Sequence, residues 1–386
     1  MFFRRLRLVN FRSYDDVTVA FAPGLNVIVG RNASGKTNLL EGAYFALRAA
    51  SCRTTRDEKA VRMGAGFARA EAEIDAGPER VRTTTVAYAP GQGKQVRVDG
   101  AEVPSLDELR RQGQVFVFVP ESLLLVKGSP ARRRAHLDAF AAALDRAYDA
   151  AARELQEALR QRNAQLARVR EGAPASSLDP WDRQVARAGL DLAARRRAIV
   201  VSLAGRFAEF AAELAPDDER FSVTLVSQVA EGLDDDGFAA ALRARRGRDV
   251  GRATTSFGPH RDDLCFAEER GGEDGPRDLR LFGSQGEQRA AVLALLLAER
   301  AVAAEHSGDV GALLLDDVMS ELDDARRRLL VQTLTSGGQA IITTTNRHYF
   351  TDAELARAKV IELGPEGPPP EVEADVREGP PYSSRD

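Results

Sequence analysis

The stretch GRNASGKTNLL, residues 30–40, decides how the rest of the chain is interpreted. Gly30, Gly35, Lys36 and Thr37 fit the pattern G-x-x-x-x-G-K-[ST]. Small residues in such a loop let backbone N–H groups surround a chain of phosphates, and the following helix directs its positive end at them. The short apolar stretch LNVIVG precedes the loop and predicts a buried strand, and a helix is predicted to follow. The stretch therefore predicts a nucleotide-binding loop.

The residue types of this loop predict how it holds ATP. Lys36 is expected to reach the β- and γ-phosphates as a catalytic cation, and the Thr37 hydroxyl is expected to bind Mg²⁺. The residues predicted to contact the nucleotide here are Gly30, Arg31, Asn32, Ala33, Ser34, Gly35, Lys36 and Thr37. An ordinary glycine-rich turn is the alternative, which the strand–loop–helix context disfavours.

A second motif, the acidic stretch ALLLDD, follows near the end of the chain. Four apolar residues predict a buried strand that ends at Asp316 and Asp317. Asp316 is expected to hold Mg²⁺, and Asp317 to position or activate the attacking water as the catalytic carboxylate. Many buried strands end in Asp, so this motif gains its weight from the loop at residues 30–37.

The composition limits the kinds of partner. The chain has 386 residues and a net charge of −4, so nucleic acid could be bound only through a local basic patch. Two cysteines and four scattered histidines give neither a disulfide framework nor a zinc pattern. No apolar run is long enough to span a membrane, and a cytoplasmic location without membrane partners is predicted.

The middle of the chain predicts a helical arm that could bind DNA. Helical spacing of apolar residues predicts one long helix over 131–170, about 60 Å long. A break at 172–178 leads to Asp179 as N-cap and a second helix to about Leu214, forming an antiparallel hairpin. From residue 127 to 210 there are 16 Arg or Lys against 10 Asp or Glu, densest at 132–134 and 195–197. This predicts sequence-independent phosphate binding. A solvated helical face or a GC-rich genome would equally explain many arginines.

The stretch FGSQGEQR, at 282–289, opens a long apolar helix. Ser284, Gly286 and Gln288 resemble the signature motif of the ABC-type ATPases, although an ordinary capped helix is the alternative. The resemblance implies that these three residues contact the γ-phosphate of ATP held by a partner chain. It therefore implies an ATP-dependent homodimer.

Three further positions follow from this resemblance. MSELD resembles the loop at the dimer seam, with Ser320 and Asp323. IITTTN occupies the position of the γ-phosphate sensor, where the superfamily often has His; here Asn346 is the expected occupant, with His348 two residues further on as the alternative. The early string NFRSY resembles the Rad50-like, SMC-like and RecF-like heads and implies that Arg12 meets the nucleotide phosphates.

Two longer strings narrow the resemblance to the RecF family of recombination mediators. They are VPESLLLVKGSPARRRAHLD at 119–138 and GPHRDDL at 258–264. The resemblance implies an ATP-dependent DNA-binding dimer of replication and recombinational repair. Such a protein acts at single-strand gaps and stalled forks with RecO and RecR proteins and helps to load RecA.

Asp317 stands where many ABC-type ATPases have Glu. Its carboxylate is one methylene shorter, so it reaches less well toward an in-line water. We predict slow hydrolysis, below about 10 turnovers per second. The main functional alternative is the nucleotide-binding subunit of an ABC-type transporter, against which stand the inserted arm and the Arg12 string. An SMC-like tether lacks sustained heptads, and a nucleotide kinase needs no signature motif.

These predictions combine into an α/β fold with a helical insertion. An ABC-type P-loop head with a mixed β-sheet and an antiparallel β lobe is predicted from residues 1–125 and 255–364. The helical arm is predicted over 126–254, and a disordered tail over 365–386, where Pro and Glu are frequent.

Overall fold

The computed structural model describes residues 1–75, 77, 80–103, 105–110, 112–214, 220–269, 275–335 and 337–364. The strands are β1 (Phe2–Phe11), β2 (Tyr14–Ala20), β3 (Leu25–Gly30), β4 (Ala68–Asp75), β5 (Val81–Ala89), β6 (Gly93–Val98), β7 (Ala101–Glu102), β8 (Val115–Phe118), β9 (Phe221–Val226), β10 (Asp263–Glu268), β11 (Arg277–Asp278), β12 (Ala312–Leu315), β13 (Ala340–Thr344) and β14 (Lys359–Leu363). The helices are α1 (Lys36–Arg48), α2 (Leu106–Arg110), α3 (Leu124–Lys127), α4 (Pro130–Leu144), α5 (Arg146–Arg170), α6 (Asp179–Glu213), α7 (Asp235–Arg252), α8 (Leu279–Phe282), α9 (Gln285–Ser307), α10 (Asp324–Thr335) and α11 (Asp352–Ala356). The predicted tail at 365–386 lies outside the described residues.

The chain divides into two compact units. The first unit joins residues 1–117 to residues 312–320 and to the chain from Leu334 onward. The second unit comprises residues 118–311 and 321–333. Residues 255–311, which we assigned to the head, cluster instead with the helices, because β10 pairs with β9 and α9 packs on α6.

The first unit contains two sheets with α1 packed against strands of both. An antiparallel sheet has the order β2-β1-β4-β5-β6-β7, and the predicted hairpin between β5 and β6 is confirmed by the pairing of Ala89 with Gly93. A second sheet has the order β14-β3-β13-β12-β8, and its first four strands are parallel. Side chains of both sheets and of α1 share one apolar core.

The parallel order of this second sheet fixes the place of the predicted chemistry. β13 lies between β3 and β12, so the carboxyl ends of these three strands meet at one edge. β3 ends at Gly30, β12 ends just before Asp316, and β13 ends at Thr344. Open parallel sheets bind their ligands at this edge.

The second unit is built around the predicted helical hairpin, which is confirmed. Arg162 of α5 contacts Asp182 of α6, and Tyr148 near the start of α5 contacts Arg196 further along α6. These pairings show that the two helices run antiparallel. α7 packs on both helices, and β11, β10 and β9 form a three-stranded antiparallel sheet. No helix in the described part of the chain is long and apolar enough to cross a membrane.

Two predictions about the helices are wrong in detail. The single helix predicted over 131–170 is broken at Asp145, whose backbone is extended and whose side chain accepts a hydrogen bond from the N–H of Ala147. Asp145 thus caps α5 and ends the continuity with α4. Asp179 is the first helical residue of α6, and the N-cap is Leu178. Helix α7 was not predicted, because Ala and Arg dominate its sequence and few apolar residues mark its buried face.

Candidate functional site

The predicted phosphate-binding loop connects β3 to α1, and position 35 of this loop can only be glycine. Gly35 has a φ of +95°, and a Cβ there would lie 2.6 Å from the Tyr14 hydroxyl oxygen. That hydroxyl donates to the Gly35 carbonyl over 3.0 Å and fixes the loop from behind. The first N–H groups of α1 have no partner within the helix, and no described side chain caps them, so they can bind an anion.

Lys36 is held across the loop. Its Nζ donates to the carbonyl oxygens of Gly30, at 2.7 Å, and Arg31, at 2.9 Å. An ammonium has three donors, so one remains for a phosphate oxygen. Burial lowers the pKa of Lys36, while the nearby Asp317 and Asp316 carboxylates oppose this shift.

The structure brings Asp316 to the loop, as predicted. The Thr37 hydroxyl donates to the Asp316 carboxylate, with oxygen distances of 2.8 and 3.0 Å. Thr343 holds the same carboxylate from β13, since its hydroxyl donates to Asp316 Oδ1 over 2.7 Å. The Thr343 oxygen also accepts from the N–H of Asp317 over 2.9 Å, and Asp317 adopts a φ of +47°. Two consecutive carboxylates are thereby fixed at the edge of the sheet.

Thr343 is a residue of the candidate site that sequence reasoning missed. The string IITTTN offers three adjacent threonines and does not tell which one faces the aspartates. The parallel register supplies the answer, because Ile342 pairs with Leu315 and the next residues of both strands are Thr343 and Asp316.

The residues present fit ATP and Mg²⁺. The Ser34 hydroxyl oxygen in the loop is buried and has no hydrogen-bond partner among the described residues. A Cβ on Gly30 would lie 2.5 Å from that oxygen, so any larger residue there would have to displace the Ser34 hydroxyl. The Thr37 hydroxyl and the Asp316 carboxylate are hard oxygen donors of the kind that Mg²⁺ takes together with phosphates and water.

Two predicted nucleotide contacts have protein partners in the structure. The Arg12 guanidinium forms a bidentate ion pair with Glu41, whose side chain is fully buried on α1. Asn346 is exposed and accepts a hydrogen bond from the N–H of His348. Ser320, expected at a dimer seam, donates to the carbonyl oxygen of Asp317 over 2.9 Å.

The signature residues lie in the second unit and form the start of α9. Ser284 is exposed and is the N-cap, and Glu287 completes a capping box with it. Gly286 leaves room for Arg326, because a Cβ on this glycine would lie 3.1 Å from the Arg326 guanidinium. Gln288 is buried and donates to the carbonyl oxygen of Leu279 over 2.7 Å. Gln288 thus holds the turn, while Ser284 and Gly286 remain accessible at its tip.

The densest arginine runs of the arm serve its own packing. Arg133 is buried against Asp263, and Arg196 is buried against Asp138 and Asp262. Their neighbours contact carbonyl or carboxylate groups too: Arg134, Arg195 and Arg197. Five of the six arginines in these runs therefore bond acidic side chains or backbone carbonyls of the second unit, and a DNA surface formed by the runs stays a prediction.

Four residues for which the sequence suggested no clear role hold loops in place. The Gln114 amide oxygen accepts from Arg48, and Gln112 donates to the Glu108 carbonyl. His260 and Arg261 both bond the carbonyl oxygen of Thr255. Burial lowers the pKa of His260 to about 4, so this ring is neutral at physiological pH.

The chain is similar to proteins of known family over nearly its whole length. The sequence family described as the RecF/RecN/SMC N terminal domain matches residues 2–362. The DNA replication and repair protein RecF of Heliobacterium modesticaldum is 36% identical over 366 residues, covering 93% of this chain and 96% of that protein. RecF of Halalkalibacterium halodurans is 35% identical over 372 residues, covering 94% and 98%.

Solved structures agree with this similarity and confirm the predicted α/β head. A structure of the recombination mediator protein RecF with ATP, from the RecFOR pathway, has a TM-score of 0.81 at 25% identity. It covers 95% of this chain and 96% of that one. An SMC head has a TM-score of 0.55 at 17% identity and supports the fold alone. The chain belongs to the RecF family of DNA replication and repair proteins.

Proposed function

We propose that this chain is an ATP-gated DNA-binding protein of recombinational repair that closes into a homodimer when it binds ATP. The observation that carries the proposal is the contact between Thr37 and Asp316, two residues 279 positions apart that meet at 2.8 Å. A capped, accessible signature turn in the same chain supports a two-headed assembly. The family assignment favours this function over the transporter subunit.

The site supports a division of labour among its residues. The uncapped start of α1 and Lys36 would bind the phosphates, and Thr37 with Asp316 would hold Mg²⁺. The metal ion, when bound, offsets the negative charge that develops on the phosphates. Asp317 would orient the attacking water, and its fixed backbone limits how far its short side chain reaches. We therefore propose hydrolysis below about 10 turnovers per second, which ends the dimer state and releases DNA.

We propose that DNA contacts the turn end of the helical hairpin. Arg168 and Arg170 end α5, Arg183 and Arg187 lie on one face near the start of α6, and all four are exposed. None of the four forms an ion pair with a residue that the structure describes. Arginines of this kind bind phosphate without reading sequence.

The DNA contact predicts a salt dependence. Replacing Arg183 and Arg187 by Glu should weaken DNA binding and reduce the slope of log affinity against log salt by about two. The matched control is Arg160→Glu, at an exposed position where the arginine is paired with Glu157. An unchanged slope in the double variant would place the DNA elsewhere.

The partners proposed for this dimer follow the family. We propose that the dimer acts in the cytoplasm at single-strand gaps and stalled forks. There it would cooperate with RecO and RecR proteins and help to load RecA. The pathway named for the ATP-bound relative supports these partners.

Sedimentation velocity with and without ATP tests the proposal. Wild type should convert from monomer to dimer with ATP, while Lys36→Met and Ser284→Arg stay monomeric. Lys36→Met should fail by losing nucleotide, and Ser284→Arg should still bind it. A wild-type protein that binds ATP and never dimerises would refute the assembly proposed here.

A further inference from the structure

Arg277 lies beside the signature turn and makes three charge-assisted hydrogen bonds. Its Nε donates to Glu268 Oε2, one terminal nitrogen donates to the Phe282 carbonyl, and the other donates to Glu287 Oε1, each at 2.6 Å. Its side chain is only 18% exposed. Hydrogen bonds to ionised groups are about twice as strong as neutral ones, and a guanidinium fork fixes direction as well as distance.

The Glu287 carboxylate passes this restraint on to the signature serine. One of its oxygens accepts from Arg277, and the other accepts from the N–H of Ser284 over 2.6 Å. The Ser284 hydroxyl in turn accepts from the N–H of Glu287 over 3.2 Å. Arg277 therefore positions the Glu287 carboxylate, which in turn positions the backbone N–H of Ser284.

The same arginine ties the turn to a sheet. Arg277 lies on β11 and pairs in register with Glu268 on β10. Through the Phe282 carbonyl and Glu287 it holds both sides of the turn at Ser284. The buried Gln288 fixes the base of the turn, so the exposed tip is restrained from two directions.

An ordinary partly exposed ion pair would contribute little and would affect only stability. The geometry here differs, because the Glu287 carboxylate that pairs with Arg277 also accepts a hydrogen bond from the N–H of Ser284. Ser284 is a residue proposed to contact the partner's nucleotide. We propose that Arg277 is a positioning residue for the signature turn, which holds Ser284 and Gly286 in the orientation that closes on ATP in a second copy of this chain. This inference rests on the proposed ATP-gated dimer.

The test is the dissociation constant of the dimer with a non-hydrolysable ATP analogue, measured by sedimentation velocity. Arg277→Met should raise this constant at least tenfold, because the two ends of the turn lose their shared donor. Arg277→Lys keeps the charge but not the fork, and should fall between Arg277→Met and wild type. The affinity of the monomer for the analogue, measured at protein concentrations below dimerisation, should stay within twofold of wild type.

Arg206→Met is the matched control. Arg206 also bridges two carboxylates, Glu209 and Glu305, and Glu305 lies on α9 far along the helix from the signature turn. This variant should dimerise as wild type does. The double variant Arg277→Met with Glu287→Gln should dimerise no more weakly than the weaker of its two single variants, because both changes break the same chain of hydrogen bonds to Ser284.

The outcomes separate this inference from the proposal beneath it. A wild-type protein that does not dimerise with ATP overturns the proposed function itself. A wild type that dimerises, with Arg277→Met as tight as wild type and Arg206→Met, overturns only the role of Arg277. Equal weakening in Arg277→Met and Arg206→Met also overturns it, since a general loss of stability then explains the effect. Faster hydrogen exchange at the Ser284 amide in folded Arg277→Met would support it.

Discussion

Replacing Thr343 by Val removes one hydroxyl that organises both aspartates of the site. Thr343 is fully buried, donates to Asp316 and accepts from the N–H of Asp317. Valine has nearly the same shape, so the change removes hydrogen bonds without opening a cavity. Asp316 keeps its bond from Thr37, whereas the N–H of Asp317 loses its acceptor.

The expected magnitude follows from those two bonds. A buried group left without its partner costs about 1–3 kcal/mol, and bonds to a charged group lie toward the upper end. Because one carboxylate oxygen and one amide are affected, we expect the free energy of unfolding to fall by about 2–4 kcal/mol. If Asp316 holds Mg²⁺, a loss of 1.4 kcal/mol in its placement corresponds to about a tenfold weaker affinity for Mg·ATP.

The assay is binding of a fluorescent ATP analogue during a magnesium titration. In EDTA, Thr343→Val should bind the analogue as wild type does. It should need at least about tenfold more Mg²⁺ to reach the magnesium-dependent increase in affinity for the analogue. Thr344→Val is the control, since Thr344 is equally buried but its hydroxyl bonds, among the described residues, only the backbone of Asn346. If folded Thr343→Val shows the magnesium response of wild type, Thr343 does not organise a metal site, and our reasoning about this edge of the sheet is wrong.

Three further predictions concern the helical unit and the Cys52 thiol. Arg162→Met leaves the buried Asp249 without an ion-pair partner among the described residues, while Asp182 keeps Arg246, so the free energy of unfolding in urea should fall by about 3–5 kcal/mol, against less than about 1 kcal/mol for the exposed control Arg153→Met. Burial opposes the charge on His136, but Glu299 outweighs it and raises the pKa of His136. The pair therefore stabilises the fold fully below the unfolded pKa of about 6.5, and this contribution is lost as pH rises through the folded pKa. His136→Gln should abolish this pH dependence of the urea unfolding midpoint. Burial, with a smaller contribution from a nearby carboxylate, raises the pKa of Cys52 to about 12, so iodoacetamide at about pH 8 should label it only after unfolding, as mass spectrometry would show.

The phosphate loop could be predicted from sequence because its chemistry is contiguous. Gly30, Gly35, Lys36 and Thr37 stand within eight positions, and local geometry alone brings them together. Asp316 could be predicted because a strand that ends in carboxylates has few places to lie in a parallel sheet. Thr343 could not, since only the register between β12 and β13 selects it from three neighbouring threonines.

The break at Asp145 was hidden for a different reason. Leu137 and Phe140 on α4 and Tyr148 and Ala151 on α5 are all buried, and their spacing continues through the break at helical intervals. A periodic pattern reports which side chains face the core and does not report whether the backbone between them is continuous. The capping residue was the available signal, and Asp is among the best N-caps.

The arginine runs show why a local count of charges does not by itself identify a DNA surface. Arg133 and Asp263 are 130 positions apart, and Arg196 and Asp262 are 66 apart, so a count within the arm omits the acids that occupy these arginines. The same contacts explain the two strings that carried the family resemblance. One string supplies Arg133, the other supplies Asp262 and Asp263, and Arg196 also bonds the Pro259 carbonyl within the second string. Two stretches that seemed independent in sequence are therefore two sides of one buried ionic network, and breaking either side should leave the other side's charges stranded.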